Sequence, residues 1–233
     1  RGPRRFPSCV NSVAALTARA PEILGTHYAI HYPGIQLNSA RDLKLTPLHA
    51  RWLDHKAHFG QFYGWERPLY FDCKQEPELT FGKPDWFDQV AREVAYAHRE
   101  AAIFDQSSFG KISVTGTDAE QFLNRVCAND MTRPPGRAIY TAMLNQRGGY
   151  ESDLTALRLT SDEYRLYVGS SAIRRDLAWL ERHRQPDAQV EIIDHAVVGV
   201  VLGLDAQGVG LDPGVDVLGD EHHVGAGVDQ GSC

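Results

Sequence analysis

The chain has 233 residues, 42% of them hydrophobic and 23% charged, and a formal net charge of -6. A chain of this length can bury roughly 70% of its unfolded surface, so it can fold without crosslinks. The acidic balance argues against nucleic-acid binding, which needs clustered Lys and Arg, and no apolar run approaches the roughly 20 residues of a membrane helix. The four cysteines include no CxxC pair, which fits a reducing compartment better than a disulfide framework.

The two ends of the chain differ from its middle. Residues 1 to about 13 are basic, lack the apolar segment of a secretory signal, and are predicted to be unstructured or foreign. From Ala196 onward, 27 of 38 residues are Val, Ala, Asp, Glu or Gly, as a shifted reading frame in GC-rich DNA would produce. So much glycine disfavours regular structure, and residues 199–233 are predicted to be a disordered or non-native tail without helix or strand.

The first half of the middle region is predicted to be mainly helical. A helix is expected through residues 48–59, followed by a turn at residues 64–68 and a polar loop over residues 72–83. Asp85 has the position of an N-cap for the next helix, whose apolar residues repeat at helical spacing and should pack on a sheet. We interpret Asp105 as a turn or cap residue between that helix and the following strand.

The second half combines strands with two short helices. Ile112 and Val114 predict a strand, and residues 117–120 fit a capping box for a helix over residues 122–127 that places Cys127 in the core. A further strand is expected at residues 164–168. A helix should follow from about Ser171 to His183. Strands in hairpins flanked by helices predict an α+β domain with a mainly antiparallel sheet and packed helices.

The segment from Tyr140 to Leu159 predicts a β-hairpin that displays one carboxylate. Two alternating apolar runs flank Gly148 and Gly149, and Asp153 follows the turn. From these residues alone, Asp153 is either a turn-side cap or a reactive group, and Tyr140 is either a core partner or part of a ligand site. An ionised carboxylate beside a phenol, if both face a pocket, suits a planar heterocycle with reactive nitrogens.

Other catalytic and cofactor motifs are missing from the sequence. Neither GxGxxG nor GxxxxGK[ST] occurs, so this chain by itself is not expected to bind FAD, NAD or ATP through the usual phosphate cradle. No GxSxG elbow is present. The pairs His27 and His31, and His222 and His223, lack the scaffold of a metal centre, and no metal site is predicted.

Three spaced segments, Thr46–Phe71, Ala101–Asp130 and Gly136–Leu154, closely resemble the aminomethyltransferase (glycine cleavage T-protein) family. Four sequence motifs look most like the C-terminal half of dimethylglycine and sarcosine dehydrogenases: GWERPLYF, KPDWFDQVAREV, SSFGK and GGYESDL. In that group a flavin oxidase domain precedes the folate domain, and Arg19–Pro33 resembles the segment that leaves it. The resemblance implies an incomplete T-protein fold.

Position by position, the resemblance implies four site residues. Asp153 matches the family's catalytic aspartate, which contacts the reacting end of tetrahydrofolate, and Tyr140 matches a pterin-site tyrosine. Phe109 stands where T-proteins carry a methionine that lines the site, and Leu157 where they often carry a tyrosine. Because Ser152 replaces the first of two aspartates usual in T-proteins, Asp153 would act alone.

The same resemblance implies one-carbon transfer. The flavin of such relatives oxidises an N-methyl amine, and the folate domain captures the one-carbon unit as methylenetetrahydrofolate. The predicted division is a disordered start plus linker remnant at residues 1–45, a folate-binding domain at 46–198 and the tail at 199–233. FAD is expected only in the absent flavin domain, normally part of the same chain, and the partner of this chain would be a small-molecule folate.

Because the family segments that close the site are also missing, we predict that the isolated polypeptide is inactive alone and binds reduced folate weakly or not at all. The family implies bacterial cytoplasm or the mitochondrial matrix. Two alternatives stay open. The chain also resembles the regulatory subunit of pyruvate dehydrogenase phosphatase, a non-catalytic role, and it could be an inert gene remnant.

Overall fold

The computed structural model describes residues 12–72 and 77–195 in full, and the backbone alone of residues 199–204 and 216–217. The helices are α1 (Val13–Thr26), α2 (His49–Asp54), α3 (Phe87–Ala97), α4 (Ala119–Val126) and α5 (Ile173–His183). The strands are β1 (His58–Phe62), β2 (Trp65–Tyr70), β3 (Ala102–Asp105), β4 (Gly110–Thr115), β5 (Ala138–Leu144), β6 (Tyr150–Arg158), β7 (Glu163–Val168), β8 (Glu191–Asp194), β9 (Gly199–Leu204) and β10 (Asp216–Val217).

The central sheet has five strands in the order β5-β6-β7-β4-β8, and every neighbouring pair is antiparallel. A two-stranded sheet pairs β1 with β2, and a three-stranded sheet has the order β10-β9-β3. The predicted α+β class with a mainly antiparallel sheet is therefore confirmed.

One face of the central sheet forms the hydrophobic core. Alternate residues of β4, β6 and β7 point to this face and are almost fully buried, among them Val114, Leu154 and Leu166. Leu123 of α4 and Leu180 of α5 cover them and are themselves completely buried. Each such side chain contributes roughly 1.5–3 kcal/mol through burial. The opposite face carries Tyr140 and Asp153, so the core side fixes the strands that display them.

The predicted β5–β6 hairpin is confirmed. Ile139, Thr141 and Met143 are buried, whereas Tyr140 and Leu144 on the other side of the strand are exposed. Of the two turn glycines, only Gly148 adopts a positive φ, of 74°. Asn145 completes the turn because its Oδ1 accepts hydrogen bonds from the backbone N–H groups of residues 147 and 149 at 3.0 and 2.9 Å.

The helix predicted through residues 48–59 is wrong in its second half. Helix α2 ends at Asp54, Lys56 adopts a left-handed φ of 56°, and β1 begins at His58. The turn predicted at residues 64–68 lies earlier, at Tyr63 and Gly64, whose φ angles are 49° and 84°. Two positive φ angles between paired strands make a two-residue hairpin loop, and this tertiary pairing overrides the aromatic spacing that favoured a helix.

Helix α3 differs from its prediction at its start and in its packing. Trp86 rather than Asp85 is the N-cap, and it makes no side-chain cap hydrogen bond. No residue of α3 is buried against other described residues, and Phe87, Val94 and Tyr96 are 48%, 52% and 57% exposed. The helical pattern identifies an apolar face, but it does not identify the surface that covers that face.

The strand predicted around Ile112 and Val114, the strand predicted at residues 164–168 and the helix predicted to end at His183 are confirmed as β4, β7 and α5. The capping box before α4 is not formed. Asp118 is the N-cap, but its Oδ2 accepts a hydrogen bond from the N–H of Gln189 at 2.8 Å instead of from its own helix. Glu120 pairs with Arg158 at 2.7 Å. Cys127 caps the helix and is buried in the core, as expected.

Both ends of the chain contain structure that the sequence did not predict. Helix α1 lies within the segment interpreted as a linker remnant, and its N-cap Ser12 accepts a hydrogen bond from Ala15 N–H at 3.1 Å. Strand β9 lies in the glycine-rich stretch and pairs with β3, because residues 199–204 still contain four β-forming or bulky apolar side chains. Residues 1–11, 205–215 and 218–233 of the predicted disordered ends lie outside the described residues.

Candidate active site

The centre of the candidate site is a carboxylate bonded to a phenol across the β5–β6 hairpin. Asp153 pairs with Ala142, and Tyr140 pairs with Thr155, so Tyr140 and Asp153 occupy diagonal positions on one face. The Tyr140 hydroxyl donates a hydrogen bond to Asp153 Oδ2 at 2.9 Å. The structure thus brings together the two residues that the sequence singled out.

A second phenol, Tyr150, joins this pair through a β-bulge. The register shifts between Met143, which pairs with Ser152, and Leu144, which pairs with Tyr150, so Glu151 is an extra residue on β6. A bulge reorients the side chains next to it, which lets Tyr150 share the face of Asp153 although they are three positions apart. The Asp153 carboxylate is close enough to act as an acceptor for the Tyr150 hydroxyl, and this raises the pKa of Tyr150 to about 12. Strict alternation along β6 would place Tyr150 on the other face.

The two phenols determine what Asp153 can do chemically. Hydrogen bonds from Tyr150 and Tyr140, and then the positive charge of Arg175, hold the pKa of Asp153 below its ordinary value. A carboxylate stabilised in this way is ionised at neutral pH and is a weak base. Asp153 is therefore suited to accept a hydrogen bond from an amine and to orient it, more than to remove its proton.

Replacing Tyr140 or Tyr150 with Phe should raise the pKa of Asp153 toward its ordinary value, because each change removes a donor to the ionised form. The double variant should show the larger shift. Carbon-13 NMR titration of the Asp153 carboxyl measures this directly, and Tyr63→Phe, at another exposed tyrosine, is the matched control. An unchanged Asp153 titration in the double variant would show that the phenols do not stabilise the carboxylate.

The other two predicted residues lie farther along the same sheet. Leu157 pairs with Ala138 and Arg165 and is 5% exposed, so little of its surface can meet a ligand. Phe109 is half-buried in the turn before β4. The strand registers place it at the same level as Asp153 but two strands away, so the two backbones are about 10 Å apart. The predicted roles of Leu157 and Phe109 stay predictions.

The turn that carries Phe109 is held by a buried lysine. Lys111 is 1% exposed, and its ammonium group donates to the carbonyl oxygens of Ser107 and Phe109, both at 2.8 Å. Asp105 fixes the start of the same turn by accepting from Ser107 N–H at 2.9 Å, which confirms it as a turn residue. Asp105 also accepts from Trp52 Nε1 at 2.9 Å, so the turn is tied to α2.

Burial of Lys111 should make the stability of the fold depend on pH in the alkaline range. Burial lowers the pKa of Lys111 to about 8 from 10.5, although Asp105 and Asp194 oppose this shift. Between these two values Lys111 binds more protons in the unfolded chain than in the folded chain, so this residue makes the free energy of unfolding rise as pH increases. The rise should be clearest between about pH 8 and 9, because above that range the buried Cys127 thiol, whose pKa burial raises from 9.0 to about 12, has the opposite effect. Urea unfolding at several pH values should show this rise. It should be absent in Lys111→Met, and a rise of the same size in that variant would contradict the assignment.

The face that carries Asp153 is open. Tyr140 is 68% exposed and Tyr150 is 64% exposed. A cavity of about 570 Å³ lies elsewhere, between α2, the end of β2 and α3. Its lining consists of Trp52, Asp54, His55, Lys56, Phe71, Asp72 and Glu93. The described residues therefore form one open wall beside Asp153 and not the enclosed pocket that was expected.

The described residues contain neither a membrane-spanning helix nor a metal-binding group. No helix among them is long and apolar enough to cross a membrane. Within the same ranges, no group of three or more His, Cys, Asp or Glu side chains is placed to hold a metal ion.

Comparison with known families covers most of the chain. Residues 48–207 match the GCVT N-terminal domain, and residues 2–46 match the FAD dependent oxidoreductase central domain. This chain belongs to the GCVT domain family. The predicted resemblance to aminomethyltransferases and to flavin-linked dehydrogenases is therefore confirmed.

The chain is similar to an oxidase, a dehydrogenase and a regulatory subunit. It is 35% identical over 77% of its length to 4-methylaminobutanoate oxidase (formaldehyde-forming) of Paenarthrobacter nicotinovorans, and covers 22% of that protein. It is 32% identical over 60% of its length to human mitochondrial sarcosine dehydrogenase, covering 18%. It is also 31% identical over 82% of its length to the mitochondrial pyruvate dehydrogenase phosphatase regulatory subunit of Mus musculus, covering 23%. The chain spans about a fifth of the length of these relatives.

A solved structure supports the same fold. The glycine cleavage system aminomethyltransferase T from Bartonella henselae matches with a TM-score of 0.55 and 26% sequence identity. The match covers 68% of this chain and 40% of that chain. The predicted T-protein fold is confirmed.

Proposed function

We propose that this GCVT domain binds a reduced folate against the Asp153 face of the central sheet and assists the transfer of a one-carbon unit to it. The observation that carries the proposal is the ionised carboxylate of Asp153, held on an open strand face by two phenols. Membership of the GCVT family makes folate chemistry more expected, but a fold alone does not define a function. The proposed site depends on the side chains of Asp153, Tyr140 and Tyr150.

The residues present fit a reduced pterin. Such a ring is flat and carries N–H donors, which an ionised carboxylate accepts, and tyrosine rings offer broad apolar surface for it. Tetrahydrofolate, when bound, supplies the amine that takes up the one-carbon unit. Asp153 would hold that amine by one of its N–H groups, and the Tyr140 and Tyr150 hydroxyls would keep Asp153 ionised and in place. Holding the reacting groups in one orientation contributes to catalysis without any proton removal by Asp153.

The amine-oxidising step belongs, in this proposal, to a flavin domain of the same protein. Residues 2–46 match the central domain of FAD dependent oxidoreductases, and two relatives are named as an oxidase and a dehydrogenase of N-methyl amines. The sequence itself contains no GxGxxG fingerprint, so we assign FAD to that other domain and derive no step through it here.

A second candidate function is a regulatory, non-catalytic role. The specific observation is the 31% identity to the pyruvate dehydrogenase phosphatase regulatory subunit over 82% of this chain. A dinucleotide fingerprint and a flavin-linked histidine encoded upstream would favour the enzyme. The carboxylate with two phenol donors also favours the enzyme, because a regulatory scaffold does not require such a group.

Tyr140→Ala should weaken binding of tetrahydrofolate by about 1–3 kcal/mol, since it removes an aromatic contact and a hydrogen bond. The isolated chain presents one wall of the site, so its affinity should be weaker than micromolar and is best followed by NMR titration. Tyr96→Ala is a control at an exposed tyrosine on α3, and it should leave the affinity unchanged. Micromolar binding by calorimetry would contradict the expected weak affinity, and equal losses in the two variants would count against the proposed site.

A further inference from the structure

Helix α5 begins with an unfavourable pair of cations. Arg174 and Arg175 both lie in its first turn, where the helix dipole disfavours positive charge. The Arg175 side chain is 61% exposed, so it is not placed there to fill the core. Residues that break a local preference without a packing reason are candidates for ligand contacts.

A buried carboxylate holds Arg175 at the edge of the candidate site. Asp176 is 1% exposed, and burial raises its pKa. Its Oδ2 accepts a hydrogen bond from Ser152 Oγ at 2.8 Å, and its Oδ1 accepts one from Arg175 Nε at 3.3 Å. Burying a carboxylate is costly unless such partners satisfy it. Asp176 therefore joins the residue before Asp153 on β6 to the guanidinium group on α5.

The outer end of the Arg175 guanidinium has no acceptor among the described residues. The guanidinium is bonded to Asp176 through Nε, its inner nitrogen. No ion pair within 4.0 Å joins Arg175 to Asp153. Its charge is nevertheless near enough to contribute to the lowered pKa of Asp153 and to oppose the rise in the pKa of Tyr150. The Arg175 side chain thus presents a pair of N–H donors without an acceptor among the described residues, and Asp176 ties it to Ser152, which precedes Asp153 on β6.

We propose that Arg175 binds a carboxylate of the ligand whose amine Asp153 orients, and that Asp176 is the positioning residue for Arg175. This inference rests on the proposed function. A guanidinium fork matches the two oxygens of a carboxylate, and a guanidinium already tethered at Nε loses less freedom when it binds. Tetrahydrofolate carries carboxylates on its glutamate end and none on its reduced ring, so Arg175 recognises the glutamate end.

The test compares two ligands and two neighbouring arginines by NMR titration of the 233-residue chain. The ligands are tetrahydrofolate and tetrahydropterin, which has the reduced ring without any carboxylate. Arg175→Gln should lower the affinity for tetrahydrofolate about tenfold or more and leave that for tetrahydropterin unchanged. Arg174→Gln makes the same change of charge one residue away and should alter neither affinity by more than about twofold. Asp176→Asn should reproduce part of the selective loss.

The outcomes separate this inference from the proposed function. If Arg175→Gln weakens both ligands equally, or neither, while Asp153→Asn abolishes binding of both, the Arg175 assignment is wrong and the folate site stands. If N-methylglycine shifts the Arg175 side-chain resonance and tetrahydrofolate does not, the carboxylate comes from the amine substrate, and the assignment to folate is also wrong. If neither pterin shifts any resonance of the unmodified chain, the proposed function and the Arg175 inference fail together.

Discussion

Asp153→Asn will lower one-carbon transfer to tetrahydrofolate by about 100-fold or more in a polypeptide that carries both the flavin domain and the complete folate domain. The amide keeps the shape of the side chain but removes the negative charge that two phenols stabilise. An amine that is no longer held by a charged acceptor spends less time in the reactive orientation. Methylenetetrahydrofolate formation, measured in single turnovers with the amine substrate, reports this step.

Flavin reduction by the amine is the internal control for this variant. Its rate should stay within about twofold of the parent value, because Asp153 lies on the GCVT sheet and the amine would react at the flavin. In Tyr150→Phe the rate of one-carbon transfer should lie between the rates of the parent and of Asp153→Asn, since this change removes one donor to the carboxylate. If Asp153→Asn slows both flavin reduction and transfer to the same degree, Asp153 has a structural role and not a role in folate chemistry.

Gly116→Ala should be the most destabilising of the glycine replacements and should lower the free energy of unfolding by about 3 kcal/mol or more. Gly116 has a φ of +125°, and a Cβ atom there would lie 1.9 Å from the backbone oxygen of Gln189. That oxygen belongs to the segment leading into β8, so it cannot move without disturbing the edge of the central sheet. Urea unfolding monitored by circular dichroism measures the loss.

Gly136→Ala is the matched control for backbone strain. Gly136 has a φ of +85°, but no atom lies within 4 Å of the position that its Cβ would take. Its cost should therefore be limited to the conformational term, about 1–2 kcal/mol. If both replacements cost the same, the contact between Gly116 and the segment before β8 does not constrain the fold.

Local patterns predicted the parts of the fold in which neighbours along the chain are also neighbours in space. The β5–β6 hairpin follows from alternation around Gly148, and α5 follows from the spacing of its apolar residues up to Leu180. The pair of Tyr140 and Asp153 followed from that hairpin once a face was assigned. These features depend on backbone periods that are visible in a single sequence.

The remaining site features depend on contacts that a single sequence does not display. The β-bulge at Glu151 turns Tyr150 toward Asp153, and strict alternation places it on the opposite face. Lys111 resembles a solvent-facing strand residue in the sequence, yet the turn before it folds over its ammonium group. Asp176 looks like a helix-surface residue until Ser152 is placed beneath it. Each of these depends on how strands and helices meet, which propensity and periodicity do not encode.

The central claim, that reduced folate binds at the Asp153 face, is tested most directly by mapping backbone chemical-shift changes while tetrahydropterin is added to the labelled chain. The changes should centre on Tyr140, Tyr150 and Asp153, and Asp153→Asn should remove them. Changes centred instead on the cavity near Trp52 and Phe71, and retained in Asp153→Asn, would place the ligand elsewhere and contradict the claim.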